Sequence, residues 1–118
     1  MIRLKRAYDP PSPDDGVRVL VDRFWPRGKS REALALDRWE RDLAPSAELC
    51  KWFNHDLERW QEFQERYAQE LSDPGKQAAL QQLVEQARNG TVTLVYGARD
   101  EEHNQAAALK RYIEEHVA

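Results

Sequence analysis

The sequence predicts an α/β fold: one layered domain over residues 1–118, with a small, largely parallel sheet flanked by helices. Three observations carry this. Short apolar runs at 17–22 and 91–96 read as inner strands, long segments between and after them repeat apolar residues at helical spacing, and loops rich in proline or glycine separate them.

"MIRLKR" alternates Ile2 and Leu4 with cationic residues, the pattern of a short half-buried strand. "YDPPSPDDG" is a loop, because proline fixes the backbone and removes amide donors. "VRVLVD" sets Val17, Val19 and Val21 on one face and Leu20 on the other, as an inner strand requires. Residues 33–43 fit neither period, and a third strand and a short helix both stay open there. Ser46 is placed as the N-cap of a short helix carrying Leu49, Trp52 and Phe53 and ending near Asn54. Asp56 caps a longer helix with the stripe Leu57, Trp60, Phe63, Tyr67 and Leu71. Asp73 and Pro74 start another, which buries Leu80, Leu83, Val84 and Ala87 and stops at Gly90. "TVTLVYG" is a second inner strand with Val92, Leu94 and Tyr96 on one side, and Asp100 is expected to cap the last helix, whose stripe is Ala106, Leu109, Ile113 and Val117.

Hydrophobic residues make up 41% and charged residues 33%, a composition that folds as a globule and is not that of a disordered chain. No apolar run is long enough for a bilayer, "MIRLKRAYDPP" lacks a signal-peptide core, and a single Cys50 excludes an internal disulfide; a cytoplasmic protein is expected. The net charge of −3 hides an asymmetry, since residues 17–31 carry Arg18, Arg23, Arg27, Lys29 and Arg31 against Asp22 alone. A nucleic acid partner would call for a domain basic overall, so the local charge fits a compact anion better.

Ligands of open α/β sheets sit beyond the carboxyl ends of the strands. Two loops there, "DRFWPRG" and "YGARDEEHN", each supply arginine and a glycine, and the second leads to a helix N-terminus. They are expected to cradle a phosphate or carboxylate, with Arg23, Arg27 and Arg99 as forked donors and Trp25 stacking or excluding water. Gly28 and Gly97 give the backbone room, and Asp22, His55, Asp56, Asp100 and Tyr96 are the groups on which acid-base chemistry would rest, His55 and Asp56 foremost. The competing reading makes Asp22, Arg23, Arg99 and Asp100 structural ion pairs, and the chain an interaction module presenting Trp39, Trp52 or Trp60 to a protein partner or a second copy. Metal-ligand spacings, phosphate-loop and dinucleotide motifs are missing, so neither a metal nor a cofactor is expected, and Cys50 reads as a packed side chain.

In the order "VDRFWPRG", "LAPSAELCKWFNHD", "WQEFQERYAQEL" and "TLVYGARDEEHNQAAAL", the chain resembles the YeaO-like branch of the domain-of-unknown-function 488 family over nearly its whole length. The resemblance implies a compact α/β domain with a cleft between the "DRFWPRG" and "GARD" loops. It points to Asp22, Arg23, Trp25, Pro26, Arg27 and Gly28, to Trp52, His55 and Asp56, and to Gly97, Arg99, Asp100, His103 and Asn104. Longer relatives carry a cysteine-containing segment opposite "VYGARD". Tyr96 and Gly97 stand there in this chain, which puts thiol chemistry in doubt.

Overall fold

In the computed structural model, which describes residues 1–117, the four strands are β1 (Ile2–Arg6), β2 (Val17–Leu20), β3 (Arg38–Trp39) and β4 (Val92–Tyr96). They form one all-parallel sheet in the order β1-β4-β2-β3. Five helices accompany them: α1 (Arg31–Leu34), α2 (Ala47–Phe53), α3 (Trp60–Leu71), α4 (Gln77–Arg88) and α5 (Gln105–His116).

The two inner strands are those with apolar side chains on both faces. Val19, Val21, Val92, Leu94 and Tyr96 point into a core closed by α2–α5 through Leu49, Phe53, Phe63, Leu83, Leu109 and Ile113. The opposite face is thinner. Leu20, Val95 and Ala7 are covered there by Leu34 of α1, with Trp25 and Leu36 packed against them. The rest of that face is polar: buried Thr93 donates its hydroxyl to the Asp15 carbonyl at 2.7 Å, and buried Asp15 pairs with Arg18 at 2.6 Å and Lys5 at 3.1 Å. The turn before β2 needs glycine at position 16, because its φ is +62° and a Cβ would lie 2.2 Å from the Thr91 carbonyl oxygen.

Ser46 and Asn54 bound α2 as the sequence indicates. Residues 33–43 contain both alternatives in miniature, the end of α1 and then two-residue β3, because Leu34 turns inward to the thin face before Arg38 reaches β2. β2 stops at Leu20, although the Val21 amide still donates to Val95 O. Asp56 caps a 3-10 turn, Leu57–Arg59, that runs into α3. That turn rotates Leu57 out of the stripe, leaving it 56% exposed. Asp100 is not the cap of α5. Asn104 is, accepting from the Ala107 amide, while Asp100 holds the preceding turn by accepting from the Glu102 and His103 amides. Among the described residues no helix is long and apolar enough to cross a membrane.

Candidate functional site

β2 and β4 are neighbours, yet the chain leaves them toward opposite faces: from β2 to α1 on the thin side, from β4 to α5 on the helical side. Such divergence opens a crevice at the strands' carboxyl ends. A cleft of ≈ 270 Å³ lies there. Phe53, Phe63, Pro45 and Ala98 give it apolar walls, Phe24 stands at its edge 64% exposed, and Asp22, Arg23, His55, His103 and Gln105 supply the polar groups.

Asp22 links the two loops. Its Oδ2 accepts the Gly97 amide at 2.8 Å, its Oδ1 accepts the side-chain amide of Gln105, and its backbone carbonyl accepts the Trp39 indole N–H at 2.7 Å. Gly97 is required for this closeness, since a Cβ would stand 3.0 Å from Oδ2. Burial pushes the Asp22 carboxyl up to about 6, against the two hydrogen bonds that favour its ionised form. Next to it, Arg23 donates Nε to the Pro45 carbonyl at 2.7 Å, which aligns the guanidinium along the cleft wall and leaves its two terminal nitrogens without a partner among the described residues.

The two histidines arrive differently. His103 is held rigidly: Nδ1 lies 3.1 Å from the Asp100 carboxylate and its ring meets Trp60 edge-on at 5.3 Å, so Nε2 is the nitrogen left for a ligand. The Glu102 and His103 amides, with the His103 side chain, hold the half-buried Asp100 carboxyl below its ordinary range. His55 follows the α2 cap in a left-handed conformation, φ +55°, directly after Asn54 at φ +46°. Asparagine tolerates that region, whereas histidine there stores strain at the mouth of a cleft. His55→Gly is therefore expected to raise stability by roughly 0.5–1 kcal/mol, the steric relief less glycine's extra chain entropy. Urea denaturation checks this, and an unchanged or lower midpoint would show that the conformation costs nothing.

The cleft brings together Asp22, Arg23, His55 and Gly97 of the expected set, with His103 from the family motif. It does not gather the rest. Arg27 and Arg99 are exposed and do not line it, so of the three arginines only Arg23 faces the cleft. The structural pairing of Asp22 and Arg23 with Arg99 and Asp100 is absent too, since Asp22 is satisfied by neutral donors and Arg23 by a carbonyl. Tyr96 is a core residue. Asp56 serves as a cap and pairs with Arg59 at 3.6 Å, and Asn104 is a cap. Trp52 lies under Arg59 and Arg66 at 5.2 and 4.3 Å from their guanidinium carbons, outside the cleft. Gly28 forms a turn at φ +78°, and Trp25 donates its indole N–H to the Lys29 carbonyl at 2.6 Å, facing a different hollow.

Gln105 is the polar lining residue that sequence reasoning passed over, and Cys50, read there as a packed side chain, lines the cleft as well. Gln105 follows the α5 cap, a position from which a long amide reaches back over the helix start, and that is the one signal it carries. The Cys50 thiol, 3.7 Å from the Pro45 carbonyl, is pushed up by burial and stays a neutral wall group. Among the described residues no three histidine, cysteine or acidic side chains are grouped as a metal ion would need.

The family model described as the inactive DUF488-N3 subclade matches residues 1–118. The chain is 38% identical over 112 residues to the uncharacterized protein YeaO of Escherichia coli, covering 95% of this chain and 96% of that one. To an uncharacterized protein of Mycobacterium tuberculosis it is 40% identical over 112 residues, 95% of this chain and 92% of the relative. No solved structure matches it. With a family match over the whole chain and relatives 38–40% identical over 95% of it, the chain belongs to the YeaO-like branch of the domain-of-unknown-function 488 family.

Proposed function

We infer that the protein binds a small ligand bearing a carboxylate or phosphate in the Asp22–Arg23–His55–His103 cleft and does not turn it over. The observation that carries this is Arg23: a guanidinium fixed through Nε to Pro45, with both terminal nitrogens unpaired beside an apolar-walled hollow. A planar fork held in that way accepts an anion's two oxygens without first ordering a side chain. His55 and the Nε2 of His103 stand on the same cleft and supply further polar contacts.

Binding without chemistry is favoured by the lining itself. Cys50 is a neutral thiol, and both oxygens of Asp22 are already held by Gly97 and Gln105, so neither of these two groups is free to act as a nucleophile. The subclade's description as inactive agrees with this. Asp22 opposes an anion when ionised, so the ligand contact belongs to Arg23 and the two imidazoles, with Asp22 setting the geometry of the loops.

Calorimetric titration with inorganic phosphate, succinate and a sugar phosphate tests the reading. Arg23→Ala is expected to weaken the best of these by about tenfold or more, a lost charge-assisted pair, with Arg23→Lys intermediate because it keeps charge and loses the fork. Wild-type affinity in Arg23→Ala, with an intact circular dichroism spectrum, would remove the cleft from consideration.

A further inference from the structure

The thin face of the sheet carries a second hollow that the anion cleft does not use. Trp25, Arg31, Leu36 and Trp39 line ≈ 290 Å³, and none of them lines the first cleft. The two indoles meet edge-on, 5.5 Å between centroids at 66°, and each is anchored by its N–H, Trp25 to the Lys29 carbonyl and Trp39 to the Asp22 carbonyl. Trp39 nevertheless remains 38% exposed, and Tyr8, tied to the same loop through the Arg27 carbonyl, 41%. Anchored and still exposed aromatic rings are what binding surfaces present, since a partner then meets a wall that needs no ordering.

Cations crowd the same rim. Arg41 lies over Trp39 at 5.5 Å, and Arg6 and Lys29 lie over Tyr8 at 5.2 and 5.8 Å. Arg31 lines the hollow itself and, like Arg41, has no ion-pair partner among the described residues. Of the nearby acids, Glu40 pairs with Arg38 at 2.8 Å and Asp37, itself exposed, accepts the Arg18 amide at 2.8 Å, while Glu32 of α1 and Asp42 beside Arg41 are exposed with no ion-pair partner among the described residues.

We propose that this hollow docks an acidic peptide segment of a partner protein, an apolar side chain of the segment entering between Trp25, Leu36 and Trp39 while its carboxylates meet Arg31, Arg41 and Lys29. A single-stranded nucleic acid is the weaker fit. Base stacking needs open ring faces, and those of Tyr8 and Trp39 already carry a cation, while the chain's net charge of −3 works against a polyphosphate. The edge-on indole pair over Leu36 instead shapes a pocket for a branched aliphatic or phenyl group, and isolated carboxylates match isolated guanidinium groups.

Fluorescence anisotropy with three labelled probes tests the proposal: a short glutamate peptide with a central leucine pair, the same peptide with lysine for glutamate, and oligothymidine of similar length. The acidic peptide is expected to bind saturably and to weaken with salt, the lysine peptide and oligothymidine to bind about tenfold more weakly or not at all. Arg31→Glu and Arg41→Glu, both at exposed positions, should each weaken the acidic peptide severalfold with the melting temperature unchanged, and Trp39→Ala should weaken it further. Tighter binding of oligothymidine, no binding of the acidic peptide, or equal binding by the wild type and both charge reversals would each overturn the assignment. Arg23→Ala should leave this binding unchanged, which separates it from the anion cleft.

Discussion

Replacing Asp15 with alanine is expected to destabilise the fold by roughly 3–5 kcal/mol, the loss typical of breaking a buried ion pair from one side. Asp15 is 1% exposed and accepts from Arg18 Nη1 at 2.6 Å, Lys5 Nζ at 3.1 Å and the Ser12 amide at 3.0 Å. Arg18 is itself 4% exposed; its Nε and Nη2 keep the Leu34 carbonyl, but Nη1 would be left charged, dry and unpaired. For a chain of this size the melting temperature should drop by roughly 10–20 °C. Replacing both partners at once, Asp15→Leu with Arg18→Met, should cost less than Asp15→Ala alone, because the orphaned charge disappears with its partner. Desolvation works to raise the Asp15 carboxyl, but Ser12, Lys5 and Arg18 outweigh it and hold it below its ordinary range. A carboxyl lowered by folding stabilises the native state above its unfolded value and loses that contribution as pH falls through its folded one, so the gap between wild type and Asp15→Ala should close in acid. A drop of only a degree or two at neutral pH would mean that water already reaches the pair.

The network at Asp15 also shows what was legible in the sequence. Period-2 and period-3.6 patterns located β1, β2, β4 and the four longer helices, because those patterns record the burial of one face by Val19, Leu94, Phe63 or Leu109. The thin face left no comparable trace. It is covered by a four-residue helix, two side chains and a salt-bridge network, and Arg18 and Asp15 read as surface residues until the fold places them between Leu34 and β4. The site was half legible for a related reason. Strand ends and glycines are local features and led to Asp22, Arg23 and Gly97, whereas which arginine faces the cleft depends on where each loop turns afterwards. Arg23 is one residue past Asp22 and is caught by the Pro45 carbonyl, while Arg27 lies beyond Pro26 and turns outward. Asp100 and Asn104 are both good caps by residue type. The chain uses both, one for a turn and one for α5, and residue type alone does not rank them.

Asp22→Asn is expected to stabilise the protein at pH 7.5 by about 1–3 kcal/mol and to do nothing near pH 4. Burial raises the Asp22 carboxyl to about 6 from an ordinary 3.8. A carboxyl raised by folding contributes its full stability below the unfolded value and loses it as pH climbs through the folded one; the difference between those values amounts to about 3 kcal/mol above pH 6. Asparagine removes the ionisation and keeps the contacts. Its Oδ1 accepts the Gly97 amide as Asp22 Oδ2 does, and its Nδ2 meets the carbonyl oxygen of Gln105 once that side-chain amide turns over. Melts from pH 4 to pH 8 should therefore run together in acid and separate between pH 4 and 6, with the variant above. Parallel curves, or a variant less stable at pH 7.5, would show that the Asp22 carboxylate is comfortable where it lies. The same substitution bears on the proposed ligand site, where an ionised Asp22 would repel an anion paired with the adjacent Arg23. On that reading Asp22→Asn should bind inorganic phosphate severalfold more tightly at pH 7.5, and the aspartate would then cost both stability and anion affinity while fixing the Gly97 and Gln105 donors on a charged acceptor.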